Sequence, residues 1–198
     1  MSFLRPLALS SCLFLGACTA THSEPAAPAA PAARPATWAK PVTLDGVPNL
    51  HQVSPTLYRS AQPNRDGLAR VEKLGVRTVV NLRSFHSDAD ELKGTGLAAA
   101  HLSMKAWHPE REDVIAFLKI VADPKQTPVL VHCQHGADRT GTLCACYRVI
   151  VQGWTKEEAI REMTDGGFGF HAIWQNLPDW IANLDVEAIR RELGLTKR

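Results

Sequence analysis

The chain has 198 residues, a formal net charge of +2 at pH 7, 45% hydrophobic residues and 21% charged residues. So even a charge balance excludes a nucleic-acid binder that works through a basic face. Five cysteines are too few for a disulfide-built scaffold of this length. Residues 1–17 carry one charge, Arg5, and the apolar run Leu13-Phe-Leu-Gly-Ala17. A basic start, an apolar stretch too short to span as a mature helix and small residues before Cys18 read as a signal peptide. Residues 18–39 include the Pro-Ala-Ala repeat of Glu24 to Ala36, which has too little large apolar surface to offset ordering entropy. They are expected to form a disordered, extended tether. Residues 40–198 have the composition of one globular domain and keep Cys133, Cys144 and Cys146.

Within that domain, strands and helices alternate. Val53 to Arg59 reads as a strand or an extended pair. Asn64 caps a helix that carries Leu68, Val71 and Leu74 on one face and stops at Gly75. Val76 to Leu82 is a central strand, Asp88 to Lys93 a single helical turn, and Ala98 to Met104 another strand. Pro109 opens a helix with Val114, Phe117, Leu118 and Val121 on its apolar face, ended by Asp123-Pro124. Val129 to Val131 is a buried strand, and the helix that follows the next loop runs to Gly153. Thr155-Lys-Glu-Glu158 is a capping box for a further helix, which Gly166-Gly167 stops. Near the C-terminus, Pro178 breaks or restarts a helix carrying Leu177, Trp180, Ile181 and Leu184. This alternation predicts an α/β fold, a three-layer α/β/α sandwich around a mainly parallel sheet.

The stretch Val129-Leu-Val-His-Cys-Gln-His-Gly-Ala-Asp-Arg-Thr-Gly141 carries the chemistry. A strand, a tight loop and a helix N-terminus make an anion cradle from inward N–H groups and the helix dipole. Cys133 stands at its start, where the setting favours thiolate. Gln134, His135, Gly136, Ala137, Asp138 and Arg139 supply the amides, and the planar fork of Arg139 can grip two phosphate oxygens. Gly136 suits a tight turn and Gly141 close helix packing. Cys144 and Cys146 read as buried apolar side chains. Thr140 reads as an N-cap of the helix. His132, Cys133, His135 and Asp138 do not make a metal site, because neighbouring strand and loop residues cannot all point at one tetrahedral centre. Neither metal nor cofactor is expected.

His132-Cys133-x5-Arg139-Thr140-Gly141 resembles the signature loop of the cysteine-based protein-tyrosine and dual-specificity phosphatases. The wider stretch, through Leu57-Tyr-Arg-Ser-Ala-Gln-Pro63 and Val79-Val-Asn-Leu-Arg83, resembles their small atypical members. The resemblance implies a protein-tyrosine-phosphatase-like fold and a phosphomonoester hydrolase whose Cys133 forms a phosphocysteine. It implies that His132 orients and stabilises the thiolate and that Thr140 assists its departure. The substrate would be a phosphorylated protein or a small phosphomonoester, with no nucleic acid. Inositol phosphates and phosphoinositides are the alternative, weakened by a loop without lysine. A rhodanese-like sulfurtransferase is opposed by the Arg-Thr-Gly ending, and a non-catalytic phosphate-binding module by the presence of both Cys133 and Arg139.

Relatives usually take their general acid from an upstream Asp, and here that region reads Met104-Lys-Ala-Trp-His-Pro-Glu-Arg-Glu-Asp113. Its acids fall where helix capping is an ordinary role. Asp138 is placed first as proton donor, because a carboxylate facing a phosphate dianion is repelled and takes up a proton. His108, Glu110 and Asp113 are the alternatives. Finally, Leu15-Gly-Ala-Cys18 resembles the bacterial lipoprotein box. That implies a lipidated Cys18 and an exported, membrane-anchored lipoprotein, and Thr19 in place of an aspartate favours the periplasmic face of the outer membrane.

Overall fold

The computed structural model describes Met1 and residues 34–195. The signal peptide, Cys18 and the tether up to residue 33 lie outside the described residues. The compact unit begins at Arg34, six residues before the expected domain start. Trp38 and Ala39 are buried, and the Ala39 N–H donates to Glu162 Oε1 at 2.6 Å. The Arg34 guanidinium donates to the Ala39 carbonyl at 2.6 Å. Residues 34–39, assigned to the expected tether by composition, are therefore packed onto the domain.

Six short strands form one sheet: β1 (Lys40–Pro41), β2 (His51–Ser54), β3 (Leu57–Ser60), β4 (Thr78–Asn81), β5 (Ala98–His101) and β6 (Val129–His132), in the order β1-β2-β3-β6-β4-β5. The expected extended pair is the antiparallel hairpin β2–β3, and the pairings β3–β6, β4–β6 and β4–β5 are parallel. Buried on both faces, β6 is apolar throughout up to His132. Successive side chains alternate between faces. Leu57, Val129 and Val131 join the large core cluster, whereas Tyr58 and Leu130 join the smaller one.

Helix α1 (Arg65–Lys73) covers the smaller cluster through Val71. Asn64 caps it, accepting from the Gly67 N–H, and Gly75 follows at φ 94°. Helices α2 (Arg111–Ala122), α3 (Asp138–Ile150), α4 (Lys156–Asp165), α5 (Asn176–Ala182) and α6 (Val186–Glu192) supply residues to the large cluster. The layers are α/β/α. The Thr155–Glu158 capping box is present, and Pro178 sits in the first turn of α5, where its missing N–H costs no helical bond. Asp88 to Lys93 forms turns and no helix; its i→i+4 bond from Leu92 N–H to the Asp88 carbonyl is not propagated.

Helix α3 is buried along almost its whole length. Gly141 allows this, since a Cβ there would stand 2.9 Å from Met163 Cγ. Burial pushes the Cys144 thiol up to about 11 and the Cys146 thiol higher still, which keeps both inert as expected. Arg148 and Glu162 form a buried bidentate pair, with both bonds at 2.7 Å.

Candidate active site

The parallel register sets Ser60 of β3 and Asn81 of β4 opposite His132 of β6, so three carboxyl ends finish level. The loops beyond them meet there, as ligand loops do in open α/β sheets. Residues 133–137 connect β6 to α3, whose first residue is Asp138. Gly136 has φ 69°, and a Cβ on it would lie 2.4 Å from the Ser60 carbonyl carbon. Only glycine fits this turn.

The carbonyls of the loop determine where its amides point. Across a trans peptide, one residue's C=O and the next residue's N–H point in opposite directions. The Gln134 carbonyl accepts from the Gln62 N–H at 3.3 Å, and the His135 carbonyl from Asn49 Nδ2 at 3.0 Å. The Gly136 carbonyl accepts from the Arg59 guanidinium at 2.6 Å. The Ala137 carbonyl accepts from the Gly141 N–H at 2.9 Å. With these four carbonyls held on the outside, the N–H groups of His135, Gly136, Ala137 and Asp138 turn to the inside. Among the described residues, none of those four has an acceptor. Orphaned donors at a helix start bind anions.

Arg59 is buried at 1% exposure and stacks 3.6 Å over the Phe168 ring. Burial pulls its guanidinium below the ordinary value. Sequence reasoning missed this residue as a site residue. Its only signal was a cationic residue inside an otherwise buried strand.

Cys133 is buried at 1% exposure, and Arg139 is partly exposed with a single 3.4 Å bond to the Leu82 carbonyl. His132 is fully buried, and its Nε2 lies 2.7 Å from Asp88 Oδ2, while Gln62 Nε2 donates to Asp88 Oδ1 at 2.9 Å. Burial alone would raise the Asp88 carboxyl. The bonds from His132 and Gln62 and the nearby His86 hold it below its ordinary value instead. Asp88 was also missed, since nothing local marks an aspartate in a turn as the partner of a histidine 44 residues away.

Thr140 is not an N-cap. Ala137 holds that position, and Thr140 lies in the first turn of α3 with its buried Oγ1 unpartnered. Asp138 is also placed differently from expectation. Its Oδ1 accepts the His171 N–H at 3.0 Å, and its Oδ2 lies 2.9 Å from His171 Nδ1. Its side chain is thus engaged with His171 at the rim of the loop. Of the alternatives, His108 is exposed and 3.6 Å from Glu110, and Glu110 is the N-cap residue of α2 without a side-chain cap bond. Asp113 lies in the first turn of α2, and burial raises its carboxyl above the ordinary range. The loop before α2 joins the site's surroundings through Ser84 Oγ to the Met104 carbonyl and Asn176 Nδ2 to the Ala106 carbonyl. A surface cavity of about 720 Å³, lined by Ile150 to Gly153, Glu187, Arg190 and Leu195, lies around the C-terminal end of α3, away from the phosphate loop. Chemistry, not cavity size, locates this site.

Residues 40–176 match the family described as DSP-PTPase phosphatase fused to NAD+ kinase. The chain belongs to the cysteine-based dual-specificity phosphatases. The phosphatase is 39% identical over 172 residues to the dual specificity protein phosphatase TpbA of Pseudomonas aeruginosa, covering 85% of this chain and 74% of that protein. The crystal structure of TpbA superposes with a TM-score of 0.73 at 35% identity, over 81% of this chain and 99% of the other. A Cys-to-Ser variant of TpbA in complex with pTyr matches equally, with a TM-score of 0.73 at 34% identity over 81% and 98%. This is a cysteine-dependent phosphatase working through a phosphocysteine intermediate, and its substrate is a phosphorylated protein or a phosphomonoester.

Proposed function

We propose that Cys133 is the nucleophile of a phosphoprotein phosphatase that accepts phosphotyrosine. The outward-held carbonyls of residues 134–137 carry this reading, because they leave four N–H groups for a phosphoryl group beside the cysteine. The Cys133 thiolate attacks phosphorus in line, an S–P bond forms and the P–O ester bond breaks. The inward amides and the Arg139 guanidinium hold the equatorial oxygens through the transition state. Water then attacks the phosphocysteine, the S–P bond breaks, and the buried Thr140 hydroxyl donates to the departing thiolate. Asp113 protonates the leaving oxygen, a role supported by the partial burial that raises its carboxyl above the ordinary range. The complex of TpbA with pTyr supports the substrate class.

The same reading places the enzyme outside the cytoplasm, anchored through a lipidated Cys18 on the periplasmic face of an outer membrane. Support comes from Leu15-Gly-Ala-Cys18, Thr19 and the Pro/Ala stretch that follows. Mass spectrometry of the exported protein should find a mature N-terminus at acylated residue 18; cleavage elsewhere would remove the anchor.

The catalytic proposal is tested with Cys133→Ser. The variant should lose turnover of a phosphotyrosine peptide yet bind phosphate as wild type does, because attack needs the thiolate whereas holding needs the amides and Arg139. Turnover at a tenth of wild type or more would refute attack by Cys133.

A further inference from the structure

His135, Asp138 and His171 gather at the exposed edge of the phosphate loop, and the reaction uses none of their side chains. One ligand atom from each, a ring nitrogen or a carboxylate oxygen, lies within 4.8 Å of the other two. Asp138 Oδ2 is 2.9 Å from His171 Nδ1, and the two imidazole centroids are 5.1 Å apart at 55°. A four-coordinate Zn²⁺ with bonds of about 2.0–2.2 Å needs its ligand atoms about 3.3–3.5 Å apart. An ion there replaces the Asp138 Oδ2–His171 Nδ1 hydrogen bond, so those two atoms part by about half an ångström and the exposed His135 ring turns toward them, with Asp138 itself buried at 6% exposure.

The three residues come from three segments: the loop after β6, the first residue of α3 and the stretch following α4. Two sets of bonds hold these segments together. Asn49 Nδ2 donates to both the His135 carbonyl (3.0 Å) and the Phe168 carbonyl (2.9 Å). The His171 N–H occupies Asp138 Oδ1, which leaves Oδ2 toward the ring nitrogen. Arg139 donates instead to the Leu82 carbonyl. Two imidazoles and a carboxylate are the donor set of zinc sites that keep a position open. The grouping considered from sequence fails because His132 is buried against Asp88. His171, 33 residues beyond Asp138, supplies what the local sequence could not. A second cluster, His86, Asp88 and Glu91, is a poorer site, since an ion there would take the Asp88 carboxylate from His132, which is fully buried and has no other place to turn.

We propose that His135, Asp138 and His171 bind a divalent transition ion of the Zn²⁺ class at the rim of the phosphate loop, with its remaining coordination position open to water or an anion.

The test uses the full chain carrying Cys133→Ser, so that the nucleophile cannot compete as a ligand. Calorimetric titration with Zn²⁺ should show one ion per chain, and Co²⁺ should give visible d–d bands without a thiolate charge-transfer band. Adding His171→Gln should weaken binding by more than the roughly 10–100-fold that loss of an outer-shell partner produces. His135→Gln, an exposed change that leaves the core alone, should do the same. Three results would overturn the proposal: no uptake by the Cys133→Ser protein, uptake by wild type that vanishes with Cys133→Ser, or equal uptake when either histidine is replaced.

Discussion

Arg59 and Arg139 both reach the phosphate loop, yet they are used in opposite ways. Arg59 is buried, bonded at 2.6 Å to the Gly136 carbonyl and stacked on Phe168. Arg139 is partly exposed and keeps one 3.4 Å contact, so most of its five donors remain for a ligand. A guanidinium whose donors are spent on backbone fixes the direction of amides. One whose donors are idle binds phosphate. The two aspartates also differ: Asp138 is bonded by His171 at the rim of the loop, whereas partial burial raises the Asp113 carboxyl above its ordinary range.

The largest effect expected concerns those aspartates. Asp113→Asn should slow hydrolysis of alkyl phosphates by about 10²–10⁴-fold and spare aryl phosphates with good leaving groups. The wild-type rate should fall as pH rises through the raised Asp113 value, and that limb should disappear in the variant. Asp138→Asn should slow both substrate classes equally. A Brønsted plot against leaving-group pKa decides, and a steepened slope for Asp138→Asn alone would return the donor role to the loop.

Next comes Arg139→Lys, which replaces a fork by a point charge. It should lower kcat/KM by about 10²–10³-fold, the scale seen on losing a transition-state donor. Its thermal stability should stay within a degree or so of wild type.

Arg59→Met should do the reverse. It leaves the Gly136 carbonyl unpaired in the interior, at a cost of about 1–3 kcal/mol. For a chain of this size each kcal/mol lowers Tm by about 2–4 °C. Thermal unfolding monitored by circular dichroism reads this directly.

Asp88→Asn should give the smallest change, one that depends on pH. The folded Asp88 carboxyl lies below its ordinary value of about 3.9, so its stabilising contribution is present above that pH and lost as pH falls through the depressed value. Denaturation curves should separate wild type from Asp88→Asn at neutral pH and converge in acid. Separation that persists unchanged into acid would assign the loss to packing instead.

What the sequence disclosed follows from how local each signal is. The run Val129 to Val131, the Cys133–Arg139 spacing, the Asn64 cap and the Thr155–Glu158 box are all set within a few residues, and each stands in the structure as read. Gly136 was legible for the same reason. Arg59, Asp88, Asn49 and His171 were not, because each acts on the loop only after the sheet and loops bring it there. Beside Arg139, Asp138 reads as a residue facing phosphate, and its bonds to His171, from beyond α4, could not be read locally. The Thr140 cap failed because the helix starts three residues earlier than a side-chain cap there would require.

The division between a building arginine and a binding one is tested most directly by melting Arg59→Met and Arg139→Lys with and without saturating phosphate, where a ligand that binds only the folded state raises Tm. Arg139→Lys should melt with wild type in the absence of phosphate and lose most of the phosphate-induced rise. Arg59→Met should melt several degrees lower without phosphate and still rise when it is added. If Arg139→Lys melts as low as Arg59→Met without ligand, or keeps the full rise with it, the two arginines do not divide the work in this way.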